Sequence, residues 1–324
     1  MFYFIIILAV GFAFVNGAND AANAIATVVG TRVLSRTKAI AMAAVLNFAG
    51  AATGLAVAKT IGKGIVTPEF IDYNIMLAAL AAVIIWGTTA TRFGLPVSIT
   101  HSFVAGLVGA GIAKAGSASI VWGTFFYKVL ASVAIAPALG FIAGLTVMVS
   151  LMWLLRRTSP MRVEGIFSKL QILSAAFMAY SHGKNDGQMP IGIIAMALMI
   201  HTGATEFDVP FWIIALCAAA IASGTAIGGW RVIRTLGMRI TALKPVNGFA
   251  AESAAASVIE AASHFGVPVS TTHCISSAIM GVGSTRRLSA VRWGVAGNIV
   301  LAWILTFPIC GVIGYVILEI ANLV

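Results

Sequence analysis

Ten long apolar segments dominate this 324-residue chain and leave few folds open to it. Most are long enough to form helices across a hydrocarbon core of about 30 Å, and they lack the short alternating strands of an outer-membrane barrel. Only 9% of the residues are charged, against about a quarter in soluble domains. The segments fall at roughly 3–28, 39–58, 74–91, 95–113, 120–154, 166–200, 209–230, 246–263, 266–283 and 291–322. The sequence therefore predicts an all-α integral membrane protein with about ten crossings, or more if broken or re-entrant helices are counted separately.

The first segment is expected to be a membrane span, not a signal peptide. No Lys or Arg precedes it, and no cleavage site followed by a soluble domain is apparent. The segments 120–154 and 166–200 are too long for one straight span, so we expect bends or breaks near Pro137 and Pro190. Three cysteines lie in apolar segments without the spacing of a metal site, and we expect them to be packing residues.

Basic residues concentrate in alternate connections between the segments. Fifteen fall on one side: Arg32, Arg36, Lys38, Arg92, Arg156, Arg157, Arg162, Lys169, Arg231, Arg234, Arg239, Lys244, Arg286, Arg287 and Arg292. Three fall on the other: Lys59, Lys63 and Lys114. The basic side should be cytoplasmic, which predicts a multi-pass protein of the cell inner (plasma) membrane with both termini outside. A net charge of +10 distributed in this way indicates membrane topology, and no nucleic-acid partner is expected.

An ordered series of landmarks occurs twice in the chain. Asn19-Asp20 matches Asn185-Asp186 at a shift of 166, and "FGLPVSITHS" at 93–102 matches "FGVPVSTTHC" at 265–274 at a shift of 172. We therefore predict two transmembrane repeats, 1–157 and 158–324. Because the first copy contains five segments, the second should begin on the opposite side of the membrane, so that the repeats have inverted topology. Segment 95–113 could instead be a re-entrant pair with little effect on the distribution of basic residues between the two sides.

Two inverted copies of one fold give a scaffold with two nearly equivalent conformations, each open to one side, which is typical of secondary transporters. Their binding sites tend to lie near the midplane, where interrupted helices leave backbone groups free to meet ions. The candidate interruptions are Gly17 and Gly183 in the Asn-Asp segments, and Pro96 and Pro268 before the Ser/Thr/His segments.

The two Asn-Asp pairs are the strongest candidates for a cation site. An ionised Asp at the centre of a membrane helix costs at least about 2.5–3.5 kcal/mol, so Asp20 and Asp186 each require a partner or a cavity. Carboxylate oxygens, with the amide oxygens of Asn19 and Asn185, are hard ligands suited to an alkali ion. The alternative is that each Asp caps or pairs with a neighbouring helix, and the repetition favours the cation site.

The paired Pro-Val-Ser segments offer donors for an oxyanion. Proline fixes the start of a helix, and free amides there, together with hydroxyl and imidazole groups, can cradle phosphate or sulfate without an arginine. The candidate residues are Ser98, Thr100, His101, Ser102, Ser270, Thr271, Thr272 and His273. The alternative is ordinary packing, in which Ser and Thr satisfy their own backbone.

Four further ionisable residues are candidates for an additional ion or proton site. His182 could carry a proton or simply bond between helices, and Lys184 could bind phosphate or neutralise Asp186. Glu252 and Glu260 have Leu80 and Thr88 as repeat partners and so break the symmetry. Salt bridges with arginines of the inner loops are the alternative for the two glutamates.

Together, "GANDAANA", "HGKNDGQ" and the two "PVS.TH" segments resemble the signature of the inorganic phosphate transporter (Pit) family, which includes phosphate permeases and related sulfate permeases. The resemblance covers both halves of the chain. It implies an inverted-repeat transporter, a homodimer, that moves inorganic phosphate with Na⁺ or H⁺. It also implies that Asn23 and Gln188 join the phosphate site.

We therefore expect a secondary active transporter that imports inorganic phosphate by cation symport, with no cofactor besides the coupling ion. Neutral Asn and hydroxyl oxygens favour Na⁺, while H⁺ coupling and sulfate transport stay open as alternatives. An anion channel is a further alternative, which counterflow of labelled phosphate would distinguish. An enzyme is not expected, because no H-E-x-x-H, G-x-S-x-G or phosphate-binding G-x-x-x-x-G-K-[ST] motif is present.

Overall fold

The computed structural model describes residues 1–204 and 206–323, and the side chain of Lys63, counted above among the basic residues, lies outside that description. The described residues form helices and no β-strand, apart from one isolated bridge between Val66 and Ile120. This confirms the predicted all-α fold.

The first half of the chain contains six helices and the second half seven, within the described residues. They are α1 (Phe2–Gly30), α2 (Arg36–Ala51), α3 (Ala56–Gly64), α4 (Tyr73–Phe93), α5 (Ile99–Ala115), α6 (Trp122–Leu154), α7 (Pro160–Asp186), α8 (Gln188–Thr202), α9 (Phe211–Ile227), α10 (Trp230–Arg239), α11 (Pro245–His264), α12 (Thr271–Ser284) and α13 (Trp293–Leu323). Segments Phe125–Leu130 of α6 and Thr235–Arg239 of α10 have π-helical hydrogen bonding.

By length and composition, four helices could each cross a bilayer: α1, α4, α6 and α13. The pair α9–α10 is bent by 64° at its break and would make a fifth if taken as one span. The remaining helices of the described residues are shorter or more polar. The count of ten crossings therefore stays a prediction.

Two of the four predicted interruptions are wrong, and the reason is packing. Helix α1 continues without a break through Gly17, and α7 continues through Gly183 to end at Asp186, before Gly187. A Cβ on Gly17 would overlap the backbone of Ile221, and one on Gly183 would overlap the backbone of Asn47. These glycines let two helix backbones approach closely, which is a common use of glycine between membrane helices.

The other two interruptions are where the prolines predicted them. Pro96 lies in the link between α4 and α5, and Pro268 lies in the link between α11 and α12. Each link, together with the first turn of the helix that follows it, is the tip of a helical hairpin, called here tip 1 (residues 94–102) and tip 2 (residues 265–274). At the open end of the first hairpin, the start of α4 is joined to the end of α5 by an ion pair of 2.7 Å between Asp72 and Lys114.

Predicted bends at the other two prolines have different outcomes. Pro190 follows the break between α7 and α8 by three residues, so the interruption expected there occurs just before it. Pro137 lies inside α6, which is assigned as helix on both sides of it.

Helices of the two halves are packed against each other in matched pairs. The helix α13 packs along α5, and α6 packs along α12 in the equivalent way. Similarly, α1 packs along α9, and α2 packs along α7. The core is therefore shared between the halves and is not divided into two separate bodies.

The contacts along α1 also give the relative direction of its partner. Gly17 faces Ile221, Gly229 faces Ala18, and Gly237 faces Ala26, so α9–α10 advances in the same direction as α1. The contacts of Gly183 with Asn47 and of Gly192 with Ala58 show that α7–α8 runs in the same direction as α2–α3.

Candidate functional site

The two predicted acids meet in the buried interior of the protein. Asp20 and Asp186 come from opposite halves of the chain and are 1% and 0% exposed. His182, one turn before Asp186, places its Nε2 3.2 Å from Asp186 Oδ2 and 4.0 Å from Asp20 Oδ2. One ligand atom from each of the three side chains lies within 4.8 Å of the others, a spacing that could hold a metal ion.

A layer of hydroxyls from tip 2 covers the acids. The Thr271 hydroxyl donates to Asp186 Oδ2 at 3.1 Å, and the Thr272 hydroxyl donates to Asp20 Oδ1 at 3.2 Å. The amide nitrogen of Asn23 donates to both threonine hydroxyls, at 3.1 and 2.9 Å. The first turn of α12 is thereby bonded to both Asn-Asp helices.

Helical spacing explains why α1 presents so many polar groups to this site. Asn16, Asn19, Asp20 and Asn23 follow i, i+3, i+4 and i+7 and so share one face of the helix. All four are buried. Within the described residues, both polar atoms of Asn16 and the amide oxygens of Asn19 and Asn23 have no hydrogen-bond partner. Buried polar atoms are normally paired, so these oxygens are available as ligands.

The asparagines before the two acids hold the hairpins in equivalent ways. The Asn19 amide nitrogen donates to the Thr91 hydroxyl of α4 at 2.7 Å. Asn185 satisfies both its amide atoms when the nitrogen faces the carbonyl of Val269 at 3.1 Å and the oxygen accepts from the Ser263 hydroxyl at 2.8 Å. Each Asn-Asp segment is thus tied to the end of the hairpin's first helix.

His182 is held from behind by a residue of the first half. Its Nδ1 lies 2.9 Å from Asn47 Oδ1, and the Asn47 amide nitrogen donates to the Thr225 hydroxyl at 3.0 Å. Because Asn47 Oδ1 can only accept, His182 Nδ1 carries the proton in this bond. In the neutral imidazole, Nε2 then has its lone pair towards Asp186.

The starts of α5 and α12 have the same cap. The hydroxyls of Ser98 and Ser270 accept from the backbone N–H of His101 and His273, at 3.2 and 3.1 Å. The Ser102 hydroxyl donates back to the carbonyl of Ser98 at 2.7 Å. Both serines are therefore N-caps that fix the helix starts, a role that sequence reasoning left open.

The two tips converge through their histidines. The rings of His101 and His273 are 5.0 Å apart, and His273 stacks on Trp303 at 4.0 Å. The Trp303 indole N–H donates to the carbonyl of Pro96 at 3.0 Å, so one side chain of α13 contacts both tips. His101 Nε2 is 3.5 Å from the Ser132 hydroxyl, while both ring nitrogens of His273 have no partner among the described residues.

Four other predicted residues lie outside the cluster of acids. Gln188 accepts from the backbone N–H groups of Val57 and Ala58 at 2.8 and 3.2 Å and so caps the start of α3. Lys184 pairs with Glu260, and their side chains are 20% and 30% exposed. Thr100 is buried, but it donates no hydrogen bond to either acid.

Glu252 forms a second buried polar cluster. Its carboxylate accepts from the hydroxyls of Thr27 and Ser174 and from the Gln171 amide at 3.2 Å. The Thr31 hydroxyl donates to Gln171 Oε1 at 2.8 Å. The cluster joins α1, α7 and α11, and none of the described arginines pairs with Glu252, contrary to the salt-bridge alternative.

Sequence reasoning missed the residues that orient the site. Asn47, Thr91, Thr225, Ser263 and Trp303 support it through the bonds described above. Asn47 could have been found, because an Asn in an apolar membrane segment is itself a signal of a polar partner. The others are residue types common in membrane helices and carry no such signal.

The assembled site combines two kinds of chemistry. Two carboxylates with amide and hydroxyl oxygens suit a hard cation, and no Lys or Arg among the described residues pairs with either acid. The starts of two helices, with imidazoles and hydroxyls, suit an oxyanion. These residues are brought together by the packing of one half against the other.

A model of the PHO4 phosphate transporter family matches residues 16–314 of the chain. A Rhizobium meliloti (strain 1021) protein is 45% identical over 99% of this chain and 96% of its own length. A Bacillus subtilis (strain 168) protein is 39% identical over 99% of this chain and 97% of its own length. Both carry the name "Probable low-affinity inorganic phosphate transporter".

A solved structure has the same fold. It is described as "The sodium-dependent phosphate transporter", with a TM-score of 0.92 and 29% identity. The alignment covers 100% of this chain and 99% of the other.

Proposed function

Since this chain belongs to the phosphate transporter family, we propose that it imports inorganic phosphate through the plasma membrane by symport with a cation, Na⁺ in preference to H⁺. The observation that carries this is the pair Asp20 and Asp186, which face each other in the buried centre without a Lys or Arg partner among the described residues. Two ionised carboxylates with oxygens less than 4.8 Å apart repel each other. A bound cation removes both this repulsion and the cost of burying the charges.

The oxygen atoms around the acids support Na⁺ as the co-substrate. Asn19 and Asn23 have buried amide oxygens that no donor of the described residues contacts, and the Thr271 and Thr272 hydroxyls already contact the acids. A proton needs only one oxygen, whereas an alkali ion needs several. The name of the neighbouring structure, a sodium-dependent transporter, agrees with this preference.

Phosphate is proposed to bind where tips 1 and 2 meet. The capped starts of α5 and α12 lie at these tips, and His101 and His273, with rings 5.0 Å apart, add ring nitrogens. Cation binding at the acids removes negative charge beside this cradle, so the anion binds after or together with the cation. The binding of the cation and the binding of phosphate are then coupled because both ions bind in one electrostatic site.

Alternating access is proposed to use the two halves as inverted repeats. The helix α2 follows α1 after the short link 31–35 and runs antiparallel to it. Because α7 runs in the same direction as α2, α7 is also antiparallel to α1. This supports the inverted arrangement predicted from the charge pattern. Rocking of one set of helices against the other would expose the central site to each side in turn. A homodimer in the bilayer and outside termini remain parts of this proposal.

H⁺ coupling is the second candidate, favoured by one contact. His182 Nε2 is 3.2 Å from Asp186, a distance over which a proton could be exchanged. The experiment is uptake of labelled phosphate into proteoliposomes with Na⁺ and pH gradients imposed separately. We expect the Na⁺ gradient alone to drive accumulation. Accumulation driven only by the pH gradient would replace Na⁺ with H⁺, and an absence of both would contradict symport.

Position 182 in the second half corresponds to Asn16 in the first, so the variant His182→Asn places asparagine at both positions. If His182 only supports Asp186, Na⁺-driven uptake should persist and fall about 10- to 100-fold, since a hydrogen bond to a charged group contributes about 1.5–3 kcal/mol. Complete loss of gradient-driven uptake together with its pH response would assign the coupling proton to His182. Counterflow of labelled against unlabelled phosphate separates a transporter from a channel in the same vesicles.

A further inference from the structure

A basic pocket lies against tip 1, away from the central acids. It has a volume of about 200 Å³ and is lined by Phe93, Gly94, Trp230, Arg231, Arg234, Thr235 and Arg239. A water molecule takes up about 30 Å³ of liquid, so the pocket can hold a small solvated anion. We call it the arginine pocket.

The arginines of the pocket lack acidic partners. None of the carboxylates in the described part of the chain forms an ion pair with Arg231, Arg234 or Arg239. The guanidinium of Arg231 donates to the backbone carbonyl of Arg92, which leaves its charge uncompensated. A further guanidinium, that of Arg36, lies 4.7 Å from the ring centroid of Trp230 in the pocket wall. Planar guanidinium groups around one cavity match the oxygen geometry of phosphate.

The pocket is joined directly to the tip that helps form the central site. Gly94 ends α4 in a left-handed conformation, φ 72°, and its carbonyl accepts from the Thr235 hydroxyl at 2.9 Å. Three residues earlier, Thr91 bonds Asn19, and two residues later, Pro96 bonds Trp303. A ligand that holds Gly94 against α10 therefore also restricts Thr91 and Pro96, which contact the central site.

The equivalent place at tip 2 has the same backbone bond but a different lining. There the Thr60 hydroxyl donates to the carbonyl of Gly266 at 2.8 Å, as Thr235 does to Gly94. With these threonines aligned, Ala56 takes the position of Arg231, and Lys59 takes that of Arg234. The bond belongs to the shared frame, whereas the cluster of guanidinium groups belongs to one side only.

We propose that the arginine pocket binds a tetrahedral phosphate-type oxyanion and that its occupant fastens tip 1 to α10. Two sources offer this chemistry, free inorganic phosphate and the headgroup of an anionic phospholipid. The proposed topology puts the pocket on the cytoplasmic side, where both are present. The inference concerns a second site, and its test does not depend on transport.

The test is hydrogen exchange of the full-length protein in nanodiscs, read by mass spectrometry in peptides that cover 90–98 and 230–240. One arm adds inorganic phosphate to neutral phosphatidylcholine discs, with chloride at equal ionic strength as the reference. The other arm compares phosphatidylcholine discs with discs containing phosphatidylglycerol. Ligand at ten times its Kd should slow exchange about tenfold in at least one arm, because protection scales with occupancy.

The deciding comparison uses two double variants with the same loss of charge. Arg234→Gln with Arg239→Gln removes two of the three charges that line the pocket, while Arg286→Gln with Arg287→Gln removes two exposed basic residues outside it. We expect less slowing in the first variant than in the second. Binding of phosphate at the central site is common to both variants, so the difference between them reports on the arginine pocket alone.

The outcomes distinguish the two sources of the oxyanion and also test the proposal itself. Slowing by inorganic phosphate assigns free phosphate, and slowing only by phosphatidylglycerol assigns a lipid headgroup. No slowing in either arm, or equal slowing in both double variants, overturns the proposal. If uptake fails in the intact protein but the slowing is present, the proposed function is wrong and the pocket stands.

Discussion

The two hairpin tips share a frame and differ in their chemistry. Each begins its second helix with a serine cap, at Ser98 and Ser270, and each is bonded by a threonine hydroxyl to the carbonyl of a glycine. Beyond the caps, Ile99 of tip 1 corresponds to Thr271 of tip 2. Among the described residues, the hydroxyls bonded to the central acids come from tip 2 alone.

The Asn-Asp segments show the same division. Their asparagines bond the hairpins in equivalent ways, and their aspartates meet. Elsewhere Asn16 corresponds to His182, and Ala18 corresponds to Lys184. The matched residues thus build the two-fold frame, while the unmatched residues concentrate hydroxyl, imidazole and charge on one side. A symmetric frame permits two conformations, and the unmatched residues can make the two unequal.

The largest expected effect comes from the matched acids. Removing one partner from a buried charged cluster costs about 3–5 kcal/mol. Asp20→Asn and Asp186→Asn should therefore each lower the initial rate of Na⁺-driven phosphate uptake at least about 100-fold. Asp208→Asn, an exposed acid, is the control and should leave the rate unchanged. Full ion-dependent uptake by both variants would rule out the acids as the cation site.

The next effect concerns the frame itself. In Gly17→Ala and Gly183→Ala, the new Cβ would overlap backbone atoms of Ile221 and Asn47. Such overpacking costs about 1–3 kcal/mol, so the Tm of the purified protein should fall by about 3–8 °C in both. Gly165→Ala, where a Cβ meets nothing within 4 Å, should not lower the Tm. Unequal losses at the two sites would show that the matched contacts are not energetically equivalent.

These glycines also show how far the sequence led. Because charge and apolar length are constrained by the bilayer, the sequence predicted an all-helical membrane protein, and the structure confirms the all-helical fold. Repetition of Asn-Asp predicted that Asp20 and Asp186 matter together, and they lie together. The prolines correctly marked the two tips, because proline cannot continue the backbone hydrogen bonding of the preceding helix.

The remaining features depend on tertiary contacts that a local pattern does not contain. Glycine permits both a break in a helix and a close approach of two helices. The sequence predicted breaks at Gly17 and Gly183, whereas both glycines permit close approach. Gln188 lies in the Asn-Asp motif, yet it caps α3, which reaches it only through packing. The support of His182 by Asn47 joins residues 135 positions apart and could not be deduced from spacing.

A smaller effect is expected where the tips differ. Thr271→Ile gives tip 2 the residue of tip 1 and removes the hydroxyl bonded to Asp186. A hydrogen bond to a charged group contributes about 1.5–3 kcal/mol, so the Na⁺ concentration for half-maximal uptake should rise about 10-fold or more. Thr89→Val, on the exposed face of α4, is the matched loss of a hydroxyl and should not change it. An unchanged Na⁺ dependence in Thr271→Ile would mean that the hydroxyls of tip 2 serve packing alone.

The smallest effect should come from the unmatched pair Lys184 and Glu260. Their side chains are 20% and 30% exposed, and ion pairs open to water contribute about 0–1 kcal/mol. Lys184→Ala with Glu260→Thr gives both positions the residues of the first half, Ala18 and Thr88. Uptake by this double variant should stay within about threefold of the parent, while Lys184→Ala alone leaves a carboxylate without its partner and should lose somewhat more. A double-mutant cycle measures the difference directly. A coupling well above 1 kcal/mol would show that this partly exposed ion pair contributes as much energy as a buried one. It would then place Lys184 and Glu260 among the residues that set the direction of transport.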